Sequence, residues 1–434
     1  MRIAVLSYHT CPLAILGGKD TGGMNVYVRE LTRQLGRIGV HVDVFTRSQD
    51  EHVPHVLHDL GFGNRVVHVP AGPEVPLPKV ELTTHIDQFV DGIREFAASK
   101  GLVYDLIHSH YWMSGLAAET LKVDWQVPVI QMFHTLGVMK QRVARSGEEV
   151  EGEYRLNGER QVLRMADRIV AATQAELAQL QWLYQADTRK IVVIPPGVDL
   201  SRFYPIPVDE AKEAIGVDTC NRMLLFVGRI EPLKGIDTLI QAIAIMRQNG
   251  SLDEDVCLAL IGGETDVSPQ NASQEMARLQ EMRQKYELGS FVTFLGQRGQ
   301  ETLPYYYSAA EAVVVPSIYE SFGMVALEAM ACGTPVVASE VGGLAFLVQD
   351  QQTGFTVPFD DPQALADKLA VLLHDEPMRR RLGAQAAVFA RDYSWEKITT
   401  RIKRLYDDEL AISAKPGSPS ANVHLPVHRS PDAL

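Results

Sequence analysis

Residues 1–46 read MRIAVLSYHTCPLAILGGKDTGGMNVYVRELTRQLGRIGVHVDVFT, and the fold follows from the order of textures within them. IAVLSYH is a short apolar run of the kind that forms a buried parallel strand. A glycine-rich loop follows, Gly17-Gly18-Lys19-Asp20-Thr21-Gly22-Gly23. NVYVRELTRQLGRIG then carries Val26, Val28, Leu31 and Leu35 at helical spacing and stops at Gly36 and Gly39. VHVDVFT is apolar and β-branched again. Strand, loop, helix and strand in that order predict a βαβ unit.

Outward from this unit the rhythm repeats. RVVHVP, YDLIHSH, PVIQMFH, RIVAAT and KIVVIPPG are strand candidates separated by helical or looped stretches. Such alternation predicts an open parallel sheet with helices on both faces. Residues 194–205, IPPGVDLSRFYP, break the rhythm and read as an interdomain linker. A second series follows: MLLFVGRI, VCLALIGG, VTFLG, AVVVPS, PVVAS and GFTVP. The expected organisation is α/β throughout: residues 1–198 and 199–390 form two Rossmann-like doubly wound domains facing across a cleft. A helix over 391–412 is expected to return to the first domain, and a polar tail over 413–434 is expected to be disordered. Ligands of doubly wound sheets bind beyond the strand C-termini, so the cleft is the expected site.

Composition narrows the chemistry. The 434 residues are 46% hydrophobic and 22% charged, with 41 basic against 54 acidic side chains and a formal charge of -13. An acidic surface disfavours nucleic acid and anionic membranes as partners. Cys11, Cys220, Cys257 and Cys332 have apolar or unpatterned flanks and are expected to be free thiols. No signal-peptide or membrane-spanning pattern is evident, which predicts a cytoplasmic protein.

Three motifs lie at the expected strand ends. Gly22-Gly23-Met24-Asn25 opens a helix, where free N–H groups and a close backbone suit a diphosphate. Gly228-Arg229-Ile230-Glu231-Pro232-Leu233-Lys234 places two cations after a strand, where they can neutralise a departing pyrophosphate. In Glu320-Ser321-Phe322-Gly323-Met324-Val325-Ala326-Leu327-Glu328, seven residues separate two glutamates, the second on a helix.

That last pattern resembles the EX7E motif of the family 4 retaining glycosyltransferases, which have the two-domain GT-B architecture. The resemblance implies that Glu320 binds donor-sugar hydroxyls and Glu328 ribose hydroxyls. It also implies that Phe322, Gly323 and Met324 present backbone N–H groups to the diphosphate alongside Gly23 and Asn25, and that His134 stands at the catalytic centre with Arg229 and Lys234. A carboxylate accepting from paired hydroxyls explains the residue type. No Asp-X-Asp motif follows a strand, Asp43, Asp105 and Asp199 being isolated, so charge neutralisation falls to the Arg229/Lys234 pair and helix N-termini, and no metal or other cofactor is expected. Retention is ascribed there to same-face attack, with the donor phosphate taking the acceptor's proton.

Lys79, Tyr111, Thr135 and Arg155 resemble the acceptor-phosphate pocket of the family's inositol-phosphate N-acetylglucosaminyltransferases, and the sucrose-phosphate synthases hold a sugar phosphate similarly. Two cations and two hydroxyls suit a phosphate monoester. Met24, Ser321 and the Arg229–Lys234 spacing depart from the synthase pattern, and His134-Thr-Leu-Gly-Val-Met-Lys only approximates that of the inositol-phosphate enzymes. The expectation is a UDP-sugar donor and a phosphorylated acceptor, with inositol phosphate ahead of fructose 6-phosphate. A non-catalytic sugar-nucleotide-binding protein is the alternative from another class.

Overall fold

A computed structural model describes residues 1–14, 21–144, 152–216, 222–263 and 274–413. The first sheet contains β1 (Arg2–Leu6), β2 (His41–Arg47), β3 (Val56–Leu57), β4 (Arg65–Val69), β5 (Leu106–His110), β6 (Val129–Met132), β7 (Arg168–Ala171) and β8 (Ile191–Val193). Their spatial order is β3-β4-β2-β1-β5-β6-β7-β8. Every pairing is parallel except β3 on β4, a two-residue edge strand too short to be read from sequence. The second sheet contains β9 (Arg222–Val227), β10 (Val256–Ile261), β11 (Val292–Gly296), β12 (Ala310–Val315), β13 (Val336–Ser339) and β14 (Gly354–Val357), in the all-parallel order β11-β10-β9-β12-β13-β14. Both orders reverse beside the first strand of their sheet, β1 or β9. The reversal splays the flanking loops and opens a crevice at the strand C-termini.

The helices that matter to the site are α1 (Gly23–Arg37), α2 (Trp112–Trp125), α3 (Gly137–Val143), α4 (Glu153–Met165), α5 (Ile236–Gln248), α6 (Met324–Ala331) and α7 (Trp395–Ser413). Burial explains much of the strands' composition: β1, β9 and β12 are covered on both faces, so their apolar residues run on instead of alternating, while the equally buried β5 and β6 carry His108, Ser109, His110 and Gln131.

Two chain segments join the halves. Val198 donates its N–H to the Tyr393 carbonyl at 2.8 Å, and Trp395 returns an N–H to Val198 at 3.2 Å. A Cβ on Gly197 would lie 2.6 Å from the Trp395 ring, so only glycine lets the crossing strands meet. From there α7 packs on α1. Its Tyr406 hydroxyl lies 2.7 Å from His108 Nδ1, and its Glu409 pairs with Arg168 at 2.7 Å.

The expectation of four free thiols is corrected at Cys257, which is disulfide-bonded; Cys11 and Cys332 are free. The apolar run VCLAL misleads because Cys257 is the one half-buried residue of β10 and its thiol is not sealed in the core. Cys220, the 17–20 portion of the glycine loop and the tail beyond Ser413 lie outside the described residues. Among the described residues no helix is long and apolar enough to cross a membrane.

Candidate active site

The two sets of strand C-termini enclose a cavity of about 320 Å³. Gly23, Asn25, Lys79, Tyr111, His134 and Thr135 line it from the first half, and Arg229, Lys234, Glu320, Phe322, Gly323, Met324 and Glu328 from the second.

On the first wall, α1 begins where the glycine loop ends. Asn25 Oδ1 accepts the Gly22 N–H at 2.9 Å, while its amide donates to Thr10 Oγ1 and the Cys11 carbonyl, each at 2.7 Å. Both amide hydrogens are therefore engaged in shaping the loop, and Asn25 faces the cavity as a brace. A Cβ on Gly22 would lie 3.9 Å from Arg229 Nε, so the loop and the first cation meet across the cleft.

On the facing wall, Arg229 Nη1 pairs with Glu231 at 2.7 Å and Lys234 Nζ with Glu320 at 2.6 Å. Gly235 turns the chain at a φ of 65°, and a Cβ there would overlap the Pro316 carbonyl at 2.0 Å. This close approach brings the Lys234 loop against the Glu320 loop. Gly323, at φ 106°, caps α6, whose first N–H groups have no intrahelical acceptors and whose first residues, Met324 and Val325, line the cavity. Glu328, one turn on, is 4% exposed and accepts the Tyr307 hydroxyl at 2.9 Å. Burial pushes its carboxyl up to about 7, against the opposing pull of the Tyr307 hydrogen bond and of Arg202 and Arg29.

His134 follows β6 and Tyr111 follows β5, with φ values of 62° and 72°. Left-handed backbone at two non-glycine residues, both at strand ends in the cleft, is strain of the sort found at functional sites. His134 Nε2 lies 2.9 Å from His110 Nδ1, and burial pushes His134 down to about 3, so the ring is neutral.

Arg155 is the expected site residue that does not reach the cavity wall. It is 1% exposed, pairs with Glu159 at 2.9 Å, and donates to the Thr135 carbonyl and hydroxyl at 3.1 Å each. Its guanidinium stands 5.1 Å over the Tyr111 ring. Glu159 in turn accepts the Gly137 N–H at 2.9 Å and the Tyr184 hydroxyl. Arg155 thus lies one layer behind Thr135 and Tyr111 and ties both to α4.

Lys140 on α3 and Gln297–Arg298 after β11 also line the cavity and were not anticipated. Lys140 follows Thr135 by little more than a helical turn. Arg298 follows VTFLG just as Arg229 follows MLLFV, so the strand-end rule could have found it.

Residues 22–197 match the family model described as a glycosyl transferase 4-like domain, and residues 207–389 match glycosyl transferases group 1. The D-inositol 3-phosphate glycosyltransferase of Saccharomonospora viridis is 40% identical over 94% of each chain. That of Actinosynnema mirum is 40% identical over 93% of this chain and 96% of its own. The solved sucrose-phosphate synthase of Thermosynechococcus elongatus is 36% identical with a TM-score of 0.86, covering 95% of this chain and 99% of its own. Anabaena HepE, crystallised with UDP and glucose, shares the fold at 20% identity and a TM-score of 0.73, over 94% and 100% of the two chains. With both sheets, the cleft and these relatives in agreement, the chain belongs to the group 1, family 4-like glycosyltransferases of GT-B fold.

Proposed function

We propose that the protein moves a glucosyl-type sugar from a UDP-sugar to a phosphorylated small molecule, with retention of configuration and without a metal ion. The observation that carries this reading is the asymmetry of the cleft cavity. One wall offers Arg229, Lys234 and the start of α6 to a diphosphate, with Glu320 and Glu328 for sugar and ribose hydroxyls; the other offers Lys79, Tyr111 and Thr135 to a phosphate. In this assignment the domain over 199–390 holds the donor and that over 1–198 the acceptor.

The residues divide the work as follows. Arg229 and Lys234 stabilise charge that grows on the leaving diphosphate as the sugar C1–oxygen bond breaks. The acceptor hydroxyl attacks C1 from the same face, and its proton passes to the departing phosphate oxygen. His134 stands beside the sugar as a neutral hydrogen-bonding group. The 40% identity to a D-inositol 3-phosphate glycosyltransferase supports inositol phosphate as the first acceptor to try. The second reading, fructose 6-phosphate, is favoured by the sucrose-phosphate synthase structure, whose TM-score to this chain is 0.86.

The experiment is transfer after exhaustive EDTA treatment, with the product's anomeric configuration read by NMR. Undiminished turnover and an anomer matching the donor's are expected. Loss of activity restored by magnesium or manganese would refute metal independence, and an inverted anomer would refute same-face transfer.

Glu328 supplies a pH test. Ribose hydroxyls donate to the ionised carboxylate, whereas burial holds the free protein's carboxyl at about 7. Binding must therefore displace a proton at acid pH. UDP affinity should weaken on going from pH 8 to 6, approaching tenfold per unit below 7. UDP itself also titrates, so the comparison is with Glu328→Gln by calorimetry. The variant should bind more weakly at pH 8 and lack this component of the pH dependence. Equal profiles would remove Glu328 from ribose binding.

A further inference from the structure

We propose that His110 is a positioning residue for His134: its Nδ1–H donates to His134 Nε2, and this leaves His134 as the Nδ1–H tautomer, a hydrogen-bond donor toward the cavity. The inference rests on the reading above only in supposing that a donor sugar occupies that cavity.

The two rings are 2.9 Å apart at His110 Nδ1 and His134 Nε2, and their centroids are 5.1 Å apart. Neither ring carries a second proton, because burial drives both well below the usual histidine range. A single hydrogen then lies between them, and its owner must be decided. If His134 donated it, His110 would carry its own hydrogen on Nε2. That atom is buried and has no partner among the described residues. A buried N–H without an acceptor is rarer and costlier than a bare lone pair. The hydrogen therefore belongs to His110 Nδ1, and the orphaned Nε2 is an acceptor.

His134 lines the cavity, and with Nε2 taken up by His110 it has Nδ1 to offer there. Its role follows: it can donate to an oxygen of the bound sugar, and it cannot serve as a general base through Nε2. The support continues behind His110. His108 packs against it with its ring tilted by 39° at 4.3 Å between centroids, with the Tyr406 hydroxyl of α7 2.7 Å from the His108 Nδ1. Tyr27 closes the side, 5.6 Å from His110 and 5.3 Å from His134. The last helix thus presses on the column of rings that ends at His134.

The test pairs NMR with kinetics. In wild-type protein carrying ¹⁵N-histidine, the resonances lost in His134→Gln identify His134, and its tautomer is read at neutral pH. The expected form is Nδ1–H, giving way to a mixture or to Nε2–H in His110→Phe. His110→Phe fills the ring's volume and deletes an unpartnered buried nitrogen, so its melting temperature should hold. Its kcat should fall roughly 10- to 100-fold, the scale on which removing the outer partner of a functional histidine acts, with little change in KM. His110→Asn, whose amide can donate from the Nδ1 position, should recover most of the loss. An Nε2–H His134 in the wild type, or a tautomer unmoved in His110→Phe, would overturn the proposal. Because the tautomer is read without substrate, a failure here is separable from a wild-type protein that transfers no sugar.

Discussion

Replacing Arg229 with alanine should lower kcat by about 10²-fold or more, on the scale of a lost oxyanion-hole donor, while leaving the fold intact. The guanidinium sits at the C-terminal end of β9, a third exposed, paired with Glu231 at 2.7 Å. Half-exposed pairs of this kind contribute little to stability, so loss of activity would not reflect unfolding. What the substitution removes is a charge beside the Gly22 loop, where a diphosphate would gain negative charge in the transition state. The effect should therefore appear mainly in kcat, with UDP-sugar KM changing less. Wild-type turnover in a folded Arg229→Ala protein would take the residue out of the mechanism.

The second large effect concerns the acceptor. A phosphorylated polyol or hexose should be used at least a hundredfold better than its unphosphorylated parent, since charge-assisted contacts are worth about 1.5–3 kcal/mol each and at least two are lost together. Lys79→Ala should erase most of that preference and leave UDP binding nearly unchanged, because Lys79 lies on the wall opposite Arg229 and Glu328. Arg155 is a poorer probe than its sequence pattern promised. It forms a buried pair with Glu159, and breaking such a pair costs roughly 3–5 kcal/mol, so Arg155→Ala would displace Thr135 and Gly137 as well as remove a cation. Equal use of phosphorylated and parent acceptors by the wild type would dismiss the phosphate pocket and leave the donor half standing.

These two cases mark how far the sequence can be read. Most strands were legible because doubly covered parallel strands are predominantly apolar, and because glycine and proline punctuate their ends. Arg229 and Lys234 were legible because they follow a strand end, where such sheets bind ligands, and Glu320 and Glu328 because their spacing resembles the EX7E motif; all four line the cavity. What was not legible depends on depth and direction. Nothing in GEYRLNGER says that Arg155 points inward to Glu159 and not into the cavity, since both residues share one helix face and either could be solvated. The VCLAL run concealed that Cys257 alone of its strand is half-buried. In HSHYW the eye falls on Tyr111, yet His110 is the residue that touches His134. That contact joins residues 24 apart, one at the end of β5 and one in the loop after β6, and leaves no periodic trace. Lys140 was missed for a related reason, since a lone lysine on a short helix looks like any solvated surface charge.

Transfer from a UDP-sugar to a phosphorylated acceptor can be read from one matrix of reactions. UDP release and product mass would be measured for wild-type protein with UDP-glucose and UDP-N-acetylglucosamine, each against inositol phosphate, fructose 6-phosphate and the unphosphorylated parents. UDP release coupled one-to-one to a glycosylated phosphate ester is expected in at least one phosphorylated well, and at least a hundredfold less in the matching parent well. UDP-sugar binding with no product in any well, or equal turnover of parent and phosphate, would contradict it.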